Sequence, residues 1–458
     1  MTESSLDRLI WPKSVAIIGA SADPSKTAGR PLRYLKQHGF SGAIWPVNPG
    51  RTEIDGMPCF PSIGDLPGVP DTGIVMLGPG RAETAVAALS QMGCGAAIVM
   101  AAGYAESGAA GAKRQTALVE ASGAMRLLGP NTIGTLNLID NITLSASGAL
   151  DVEDRVTGKI AVLSQSGGIL GSLLSRASEK GIGLSHLAAT GNEADIEIAD
   201  LMLALADDPD TQAFALYLEA IRDHEKFRRA VKLVHNASKA IVAYKVGRSE
   251  AGARSAASHT GALAGSDDVY GGFFDQAGII RAERYSDLID IPMALVSAPP
   301  LKGKRLGVLT TTGGAGGLIA DVCGLAGFTT PDPDKATIAR LNALLDHDGF
   351  SAERNPIDLT LAGLEPHIIK GAIKALMESP RYDAVLSIVG SSGVGRPDLV
   401  ADPVIEMAPT AQKPIIIYTS PAAPAIVNRL NRHSIPAFDA PEACATALSA
   451  LLLRRKRR

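Results

Sequence analysis

The chain has 458 residues, 46% of them hydrophobic and 4% aromatic, and 44 Lys and Arg against 47 Asp and Glu leave a formal net charge of -3. That length predicts about three domains of ~150 residues each, and the near balance of charge leaves no electrostatic footprint for nucleic acid. No apolar run approaches the ~18 residues of a membrane span, the start MTESSLDRLIWPK has no apolar stretch of a signal peptide, and Cys59, Cys94, Cys323 and Cys444 are too scattered for a zinc site or a disulfide framework.

The expectation is therefore a cytoplasmic protein with no metal site, no membrane segment and no nucleic-acid partner. The basic run Arg454 to Arg458 reads as a solvated end. Ser14 to Ile18 (SVAII) is a short apolar run ending at Gly19, as expected of a parallel strand buried on both faces. The turn GASADPSKTAG follows, then a helical pattern from Pro31 to Gln37 that Gly39 stops. Further strands are expected at Ala43 to Val47, Gly73 to Leu77 and Ala96 to Met100, with a helix near Ala82 to Gln91. This alternation predicts a doubly wound parallel sheet. A nicotinamide fingerprint needs G-x-G-x-x-G and an acid ~20 residues on. Here only the first glycine is in place, and the second strand ends in Pro46-Val47-Asn48-Pro49, without an acid. Ser21 and Lys26 in the first turn suit a phosphate, or the turn is simply a tight one.

Asp140 to Gly158 reads as a polar connection. Lys159 to Leu163 is a strand leading into SQSGG and a helix, whose first turn at Ser164 to Gly168 offers free N–H groups and a positive dipole end; an ordinary capped turn has the same pattern. A hydrolase elbow, G-x-S-x-G, is ruled against because Ser164 stands where its first glycine belongs. AATGNEAD (Ala188 to Asp195) precedes a helix at Ile196 to Leu205. Glu219 follows the strand Ala213 to Leu218, at the sheet edge where open α/β sheets bind ligands. It can orient an imidazole, or serve as a salt-bridge partner or a cap. After the strand Ala240 to Lys245 comes SHTGALAG, in which small residues leave His259 unshielded as a candidate nucleophile.

Ile291 to Lys304 is Pro-rich and reads as a linker. Arg305 to Leu309, then TTTGGAGG, repeats the strand, glycine turn and helix of the middle third, and offers a second helix start at Gly313 to Gly317. NPIDLT (Asn355 to Thr360), Ala384 to Val389 and Pro414 to Tyr418 complete another flavodoxin-like sheet.

The ordered blocks VAIIGAS, PVNP, AAGYAE and LLGPNTIG, followed by SQSGG, GNEAD, LYLEAI and SHTGALAG, resemble the NDP-forming acyl-CoA synthetase superfamily, which includes the succinyl-CoA synthetase α subunit and the ADP-forming acetyl-CoA synthetases. The resemblance implies an α/β chain: a Rossmann-like CoA-binding domain (1–145), a flavodoxin-like domain with the phosphohistidine loop (146–296) and a second flavodoxin-like domain (297–458). It implies that Gly19, Ala20, Ser21, Lys26, Asn48, Pro49 and Asn131 lie along CoA. Ser164, Gln165, Ser166 and Gly167, with Gly313, Gly314 and Gly316 on the second helix start, would bind phosphate, while His259 carries the phosphoryl group and Glu219 steadies it. Two such helix starts suit a dianionic phosphoryl group. Where the family has Val-Pro after the third strand, this chain has Leu77-Gly78-Pro79.

The implied reaction interconverts acyl-CoA, phosphate and ADP with a small carboxylic acid, CoA and ATP. The chain has neither a G-x-x-x-x-G-K-[ST] loop nor a segment resembling ATP-grasp. The ATP/ADP with its Mg is therefore expected on a separate ATP-grasp β subunit, a heterotetramer being plausible. The alternatives are a CoA- or phosphate-binding regulatory protein without turnover and an NAD(P)-dependent oxidoreductase.

Overall fold

The structure, a computed structural model, describes residues 6–152, 154–254, 266–345 and 352–456. It divides into one unit of Met1–Ser175 with Leu184–Arg281 and a second of Arg176–Gly183 with Ala282–Arg458.

The first unit begins with α1 (Asp7–Ile10) and β1 (Ser14–Ile18), then α2 (Arg30–Gln37), β2 (Ala43–Val47) and a small hairpin of β3 (Glu53–Ile54) and β4 (Met57–Pro58). β5 (Thr72–Val75), α3 (Arg81–Met92), β6 (Ala96–Val99), α4 (Ala109–Ser122) and β7 (Arg126–Leu128) follow. The sheet is parallel in the order β2-β1-β5-β6-β7. Its central strands are buried almost throughout, as their unbroken apolar runs require. β2 is an edge strand and so tolerates Pro46.

The second sheet contains β8 (Thr135–Asn137), β9 (Ile142–Leu144), β10 (Thr157–Ser164), β11 (Leu184–Ala189), β12 (Ala213–Leu218), β13 (Ala240–Lys245) and β14 (Ile280–Arg281), in the order β14-β13-β12-β10-β11-β8-β9. Its helices are α5 (Gly167–Glu179), α6 (Ile198–Ala204), α7 (His224–Asn236) and α8 (Asp267–Ala277). β8 and β9 are antiparallel additions at one edge, so residues 140–158 are more than a polar connection. Thr143 and Ser145 are buried with partners: Arg155 Nη1 donates to Thr143 Oγ1 at 2.9 Å, and Ser145 Oγ to the Ile133 carbonyl at 2.5 Å. One continuous apolar core runs from Val15, Ile17 and Leu35 to Leu163, Phe214 and Ile241.

The second unit is built on β15 (Leu306–Thr310), β16 (Ile357–Asp358), β17 (Ala384–Val389), β18 (Ile415–Thr419) and β19 (Ala437–Phe438), parallel in the order β16-β15-β17-β18-β19. Its helices are α9 (Asp287–Ser297), α10 (Gly313–Leu325), α11 (Lys335–Leu344), α12 (Pro366–Glu378), α13 (Ser391–Val394), α14 (Pro397–Met407), α15 (Pro424–Arg432) and α16 (Pro441–Lys456). α9 corrects the linker expectation for residues 291–304, because its helix runs through Pro292. A proline inside a helix costs ~3 kcal/mol. Leu288, Ile289, Ile291, Met293 and Leu295 are all buried around it, each worth about 1.5–3 kcal/mol, and together they outweigh that cost.

Numbering only the parallel strands of each sheet in chain order, all three sheets have the order 2-1-3-4-5. Each then has a switch point between its first and third strands, where the connections leave to opposite faces and the strand tips open a crevice. These pairs are β1/β5, β10/β12 and β15/β17.

Candidate functional site

The β10/β12 switch point holds most of the expected phosphate site. Ser164, the last residue of β10, is fully buried. Its Oγ accepts from the Ser166 amide at 3.0 Å and donates to the Ser166 carbonyl at 2.7 Å, which folds the turn into α5. A Cβ on Gly167 would stand 2.7 Å from Ile133 Cγ2, so only glycine lets the helix start this close to the 127–134 segment. The Gly167 and Gly168 amides open α5 and have no acceptor within the helix. Ser164 and Gln165 thus face inward, while Ser166 and Gly167 remain half-exposed at the rim.

Gln165 joins the two strand tips. Its Oε1 accepts from the Glu219 amide at 2.5 Å and the Ala220 amide at 3.0 Å. Its Nε2 donates to the Ala220 carbonyl at 2.6 Å and to Glu193 Oε2 at 2.7 Å. Glu219 is thereby fixed at the β12 tip, 7% exposed. On the neighbouring strand Lys245 stands in register with Leu218 and is 1% exposed. Its ammonium lies 4.7 Å from the Tyr270 ring centre and donates to the Val246 carbonyl. Burial pulls its pKa below the ordinary lysine value, against the carboxylates of Asp267 and Glu219, which raise it. His259 lies outside the described residues; β13 ends at Lys245 on one side of it and α8 starts at Asp267 on the other.

The turn Thr190 to Asp195 docks on the 127–130 segment through backbone bonds: Asn192 N to the Pro130 carbonyl, Ala194 N to that of Gly129 and Ile196 N to that of Leu127. Gly191 has φ +62°, and a Cβ there would lie 2.4 Å from the Pro130 carbonyl oxygen. Asn192 Nδ2 donates to Glu106 Oε2 at 2.5 Å and Gln115 Oε1 at 3.0 Å, and its Oδ1 accepts from Asn131 Nδ2 at 3.3 Å. Glu106 in turn accepts from the Gly103 and Tyr104 amides. Four of the sequence blocks (AAGYAE, LLGPN, GNEAD and SQSGG) therefore meet here. Glu193, Asn192 and Lys245 are the residues that sequence reasoning left without a role. The acid Glu193 within the GNEAD block was the one available signal.

At the β1/β5 switch point the amides of Gly19 and Ala20 both donate to the Val47 carbonyl, and that of Ser21 to the Ala28 carbonyl. Asn48 Nδ2 donates to the Ala20 carbonyl at 2.8 Å, and its Oδ1 accepts from the Gly50 amide at 2.9 Å. These groups shape the crevice rather than face it. Lys26 and Pro49 are exposed at its mouth, and Asn131 (φ +59°) is half-buried. The helix α2 begins only at Arg30, so the first turn does not place its small residues on a helix start.

In the second unit, Gly313 and Gly314 open α10 and are exposed. Gly316 is buried, its α-carbon face 3.1 Å from Pro356 as a Cβ would measure it, and so has a packing role. Among the described residues no group of His, Cys, Asp and Glu could hold a metal ion. Also among these residues, no helix is long and apolar enough to cross a membrane. Burial pushes the Cys94 and Cys323 thiols up to about 11, which leaves them unreactive near neutral pH.

Comparison with known proteins agrees with this layout. Residues 13–137 match the family described as CoA binding domain, and residues 157–295 the succinyl-CoA ligase like flavodoxin domain. The chain is 33% identical over 458 residues to the α subunit of ADP-forming acetate–CoA ligase I of Pyrococcus furiosus, covering 98% of this chain and 97% of that one. It is 33% identical over 386 residues to ADP-forming acetate–CoA ligase I of Archaeoglobus fulgidus, covering 84% of this chain but 55% of that one. The solved dinucleotide-forming acetyl-coenzyme A synthetase 1 of Ca. Korarchaeum cryptofilum, in complex with phosphate and ADP, superposes with a TM-score of 0.88 at 31% identity over 99% of this chain and 97% of that one.

Proposed function

The chain belongs to the family of ADP-forming acetate–CoA ligase α subunits, and from that premise we propose that it is the acyl- and phosphoryl-transfer subunit of an ADP-forming acyl-CoA ligase. Phosphate attacks the thioester carbonyl of an acyl-CoA; the C–S bond breaks, and CoA leaves with a proton as the free thiol. A ring nitrogen of His259 then attacks the phosphorus of the acyl phosphate, and the carboxylate departs. The phosphoryl group passes from that nitrogen to the terminal phosphate of ADP, which regenerates the imidazole.

CoA would cross the β1/β5 switch point, against Ser21, Lys26, Pro49 and Asn131. Ser166 and the Gly167 amide would hold the transferring phosphoryl group, since catalysis of this transfer is mainly positioning and charge stabilisation. Glu219 would accept a hydrogen bond from one imidazole nitrogen and leave the other free to attack. Gly313 and Gly314 would offer a second set of amides to phosphate. The nucleotide and its Mg would sit on an ATP-grasp partner, in a heterotetramer. Longer relatives of which this chain spans about half have room for that part in the same polypeptide. A cytoplasmic setting suits this chemistry.

The observation that carries the proposal is the placement of Glu219 and the start of α5 side by side across the β10/β12 switch point, clamped by Gln165. The test is incubation of the full chain with radiolabelled acetyl phosphate, or with acetyl-CoA and radiolabelled phosphate, across a panel of acyl groups. An acid-labile label that His259→Ala abolishes is expected, and Glu219→Gln should slow its formation roughly 100-fold. No label with any acyl group, or a label that survives His259→Ala, overturns the mechanism.

A further inference from the structure

The Glu193 side chain is 2% exposed. It touches neither crevice directly, yet both ends of it are engaged. Oε1 accepts from Thr190 Oγ1 at 2.9 Å and from the Ile198 amide at 3.1 Å. Oε2 accepts from Gln165 Nε2 at 2.7 Å, with Arg222 Nε at 3.5 Å. Every neighbour it bonds is a donor. That fixes which way round the Gln165 amide lies, because its nitrogen must face Glu193 and its oxygen must then face the Glu219 and Ala220 amides. We propose that Glu193 is a positioning residue for phosphoryl transfer, acting through Gln165 to hold the backbone of Glu219 where it can orient His259. This rests on the roles of Glu219 and His259 proposed above.

The polarity of the chain of bonds makes the proposal specific. In Glu193→Gln the new amide oxygen is claimed by Thr190 and Ile198, so its NH2 group meets the Gln165 NH2 group, donor against donor. If Gln165 turns over to relieve this, its NH2 group then meets the Glu219 and Ala220 amides instead. The mismatch thus travels to Glu219 whichever way it is resolved. Protonation of Glu193 does the same thing reversibly. Burial pushes its carboxyl up to about 7, against the bonds from Ile198, Gln165 and Thr190 and the charge of Arg222. The other charged groups nearby are Glu219 beyond Gln165, and Glu197 and Asp200 at the start of α6, both held by Lys226.

The experiment measures the rate of His259 labelling of the full chain by acetyl phosphate from about pH 5.5 to about pH 8.5, with melting temperature as the check on folding. Wild type should lose rate on the acid side with a midpoint near pH 7. Glu193→Gln should leave half-saturation by acetyl phosphate unchanged, lower the maximal rate roughly 10–100-fold and flatten the acid limb. Thr190→Val removes one donor to Glu193 Oε1 and should move the acid limb to higher pH while the rate at high pH is retained. This variant serves if Glu193→Gln does not fold. A Glu193→Gln chain with the wild-type rate and acid limb, or a Thr190→Val chain with an unmoved limb, overturns the positioning role while the relay stands. Absence of any His259-dependent label in wild type overturns the relay and this role with it.

Discussion

Ser164 and Ser166 stand two residues apart in one glycine-rich turn, and the fold gives them opposite jobs: the first is buried and locks the turn, the second lies at the rim. The turn is legible from spacing, because small residues between an apolar strand and a helical pattern mark a βα junction. Spacing does not separate the two serines, since their burial depends on which strand lies alongside. Gln165 reads as a phosphate ligand for the same reason; its partners come from a strand tip 54 residues away. Glu193 carries a testable stability consequence. Its folded pKa is raised to about 7 from 4.5, so between those values the folded chain holds a proton that the unfolded chain has released. Stability from this group is therefore full below about pH 4.5 and is lost as pH rises through about 7. Relative to Glu193→Gln, wild type should lose stability across that window, as read by denaturant midpoints at successive pH values.

At the scale of elements, the parallel strands were the legible part. β1, β12, β13 and β17, and the Ile160–Leu163 part of β10, are short apolar runs bounded by turn residues, the pattern of a strand covered on both faces. α9 was not legible, because Pro292 lies within its helix and Pro299 and Pro300 just beyond it, and a sequence alone does not say that the first is surrounded by core. The same helix contains Asp290, 3% exposed, paired with Lys180 Nζ at 2.7 Å. Burial pushes the Asp290 carboxyl up, and Lys180 opposes that shift. Lys180→Ala would leave this carboxylate buried without its cation, and should destabilise the second unit by about 3 kcal/mol, a loss measurable by chemical denaturation. Lys180→Arg, which keeps the charge, should recover part of it.

Across the whole molecule one winding is used three times, and the tips of its first and third strands supply the β1/β5 and β10/β12 crevices as well as the turn into α10. The repetition was legible for the last two sheets, because β10 and β15 each lead through a small-residue turn into a helix. The division into units was not, because it follows long-range contacts rather than composition. One apolar core runs through the first two sheets, and one in the second unit runs from Leu309 and Ile373 to Val385 and Ile417. Division into two units predicts that heat unfolds the chain in more than one step, so the van't Hoff enthalpy from calorimetry should fall clearly below the calorimetric enthalpy. A single transition with equal enthalpies would count against this.

The second unit includes Arg176–Gly183. The carbonyls of Ser178, Glu179 and Lys180 there accept from Asn428 and Asn431 of α15. On the ribosome this fragment emerges well before the rest of its unit. At roughly 5–20 residues per second, the stretch from Gly183 to Ala282 takes on the order of 5–20 s to synthesise, and α15 comes later still. Through that interval Lys180 has no Asp290 to meet, and the three carbonyls lack the side-chain amides of Asn428 and Asn431. The nascent chain must therefore keep the fragment open while the neighbouring strands β11 to β13 are already available to fold. A gene split between residues 281 and 282 would give a C-terminal half that lacks these partners at birth.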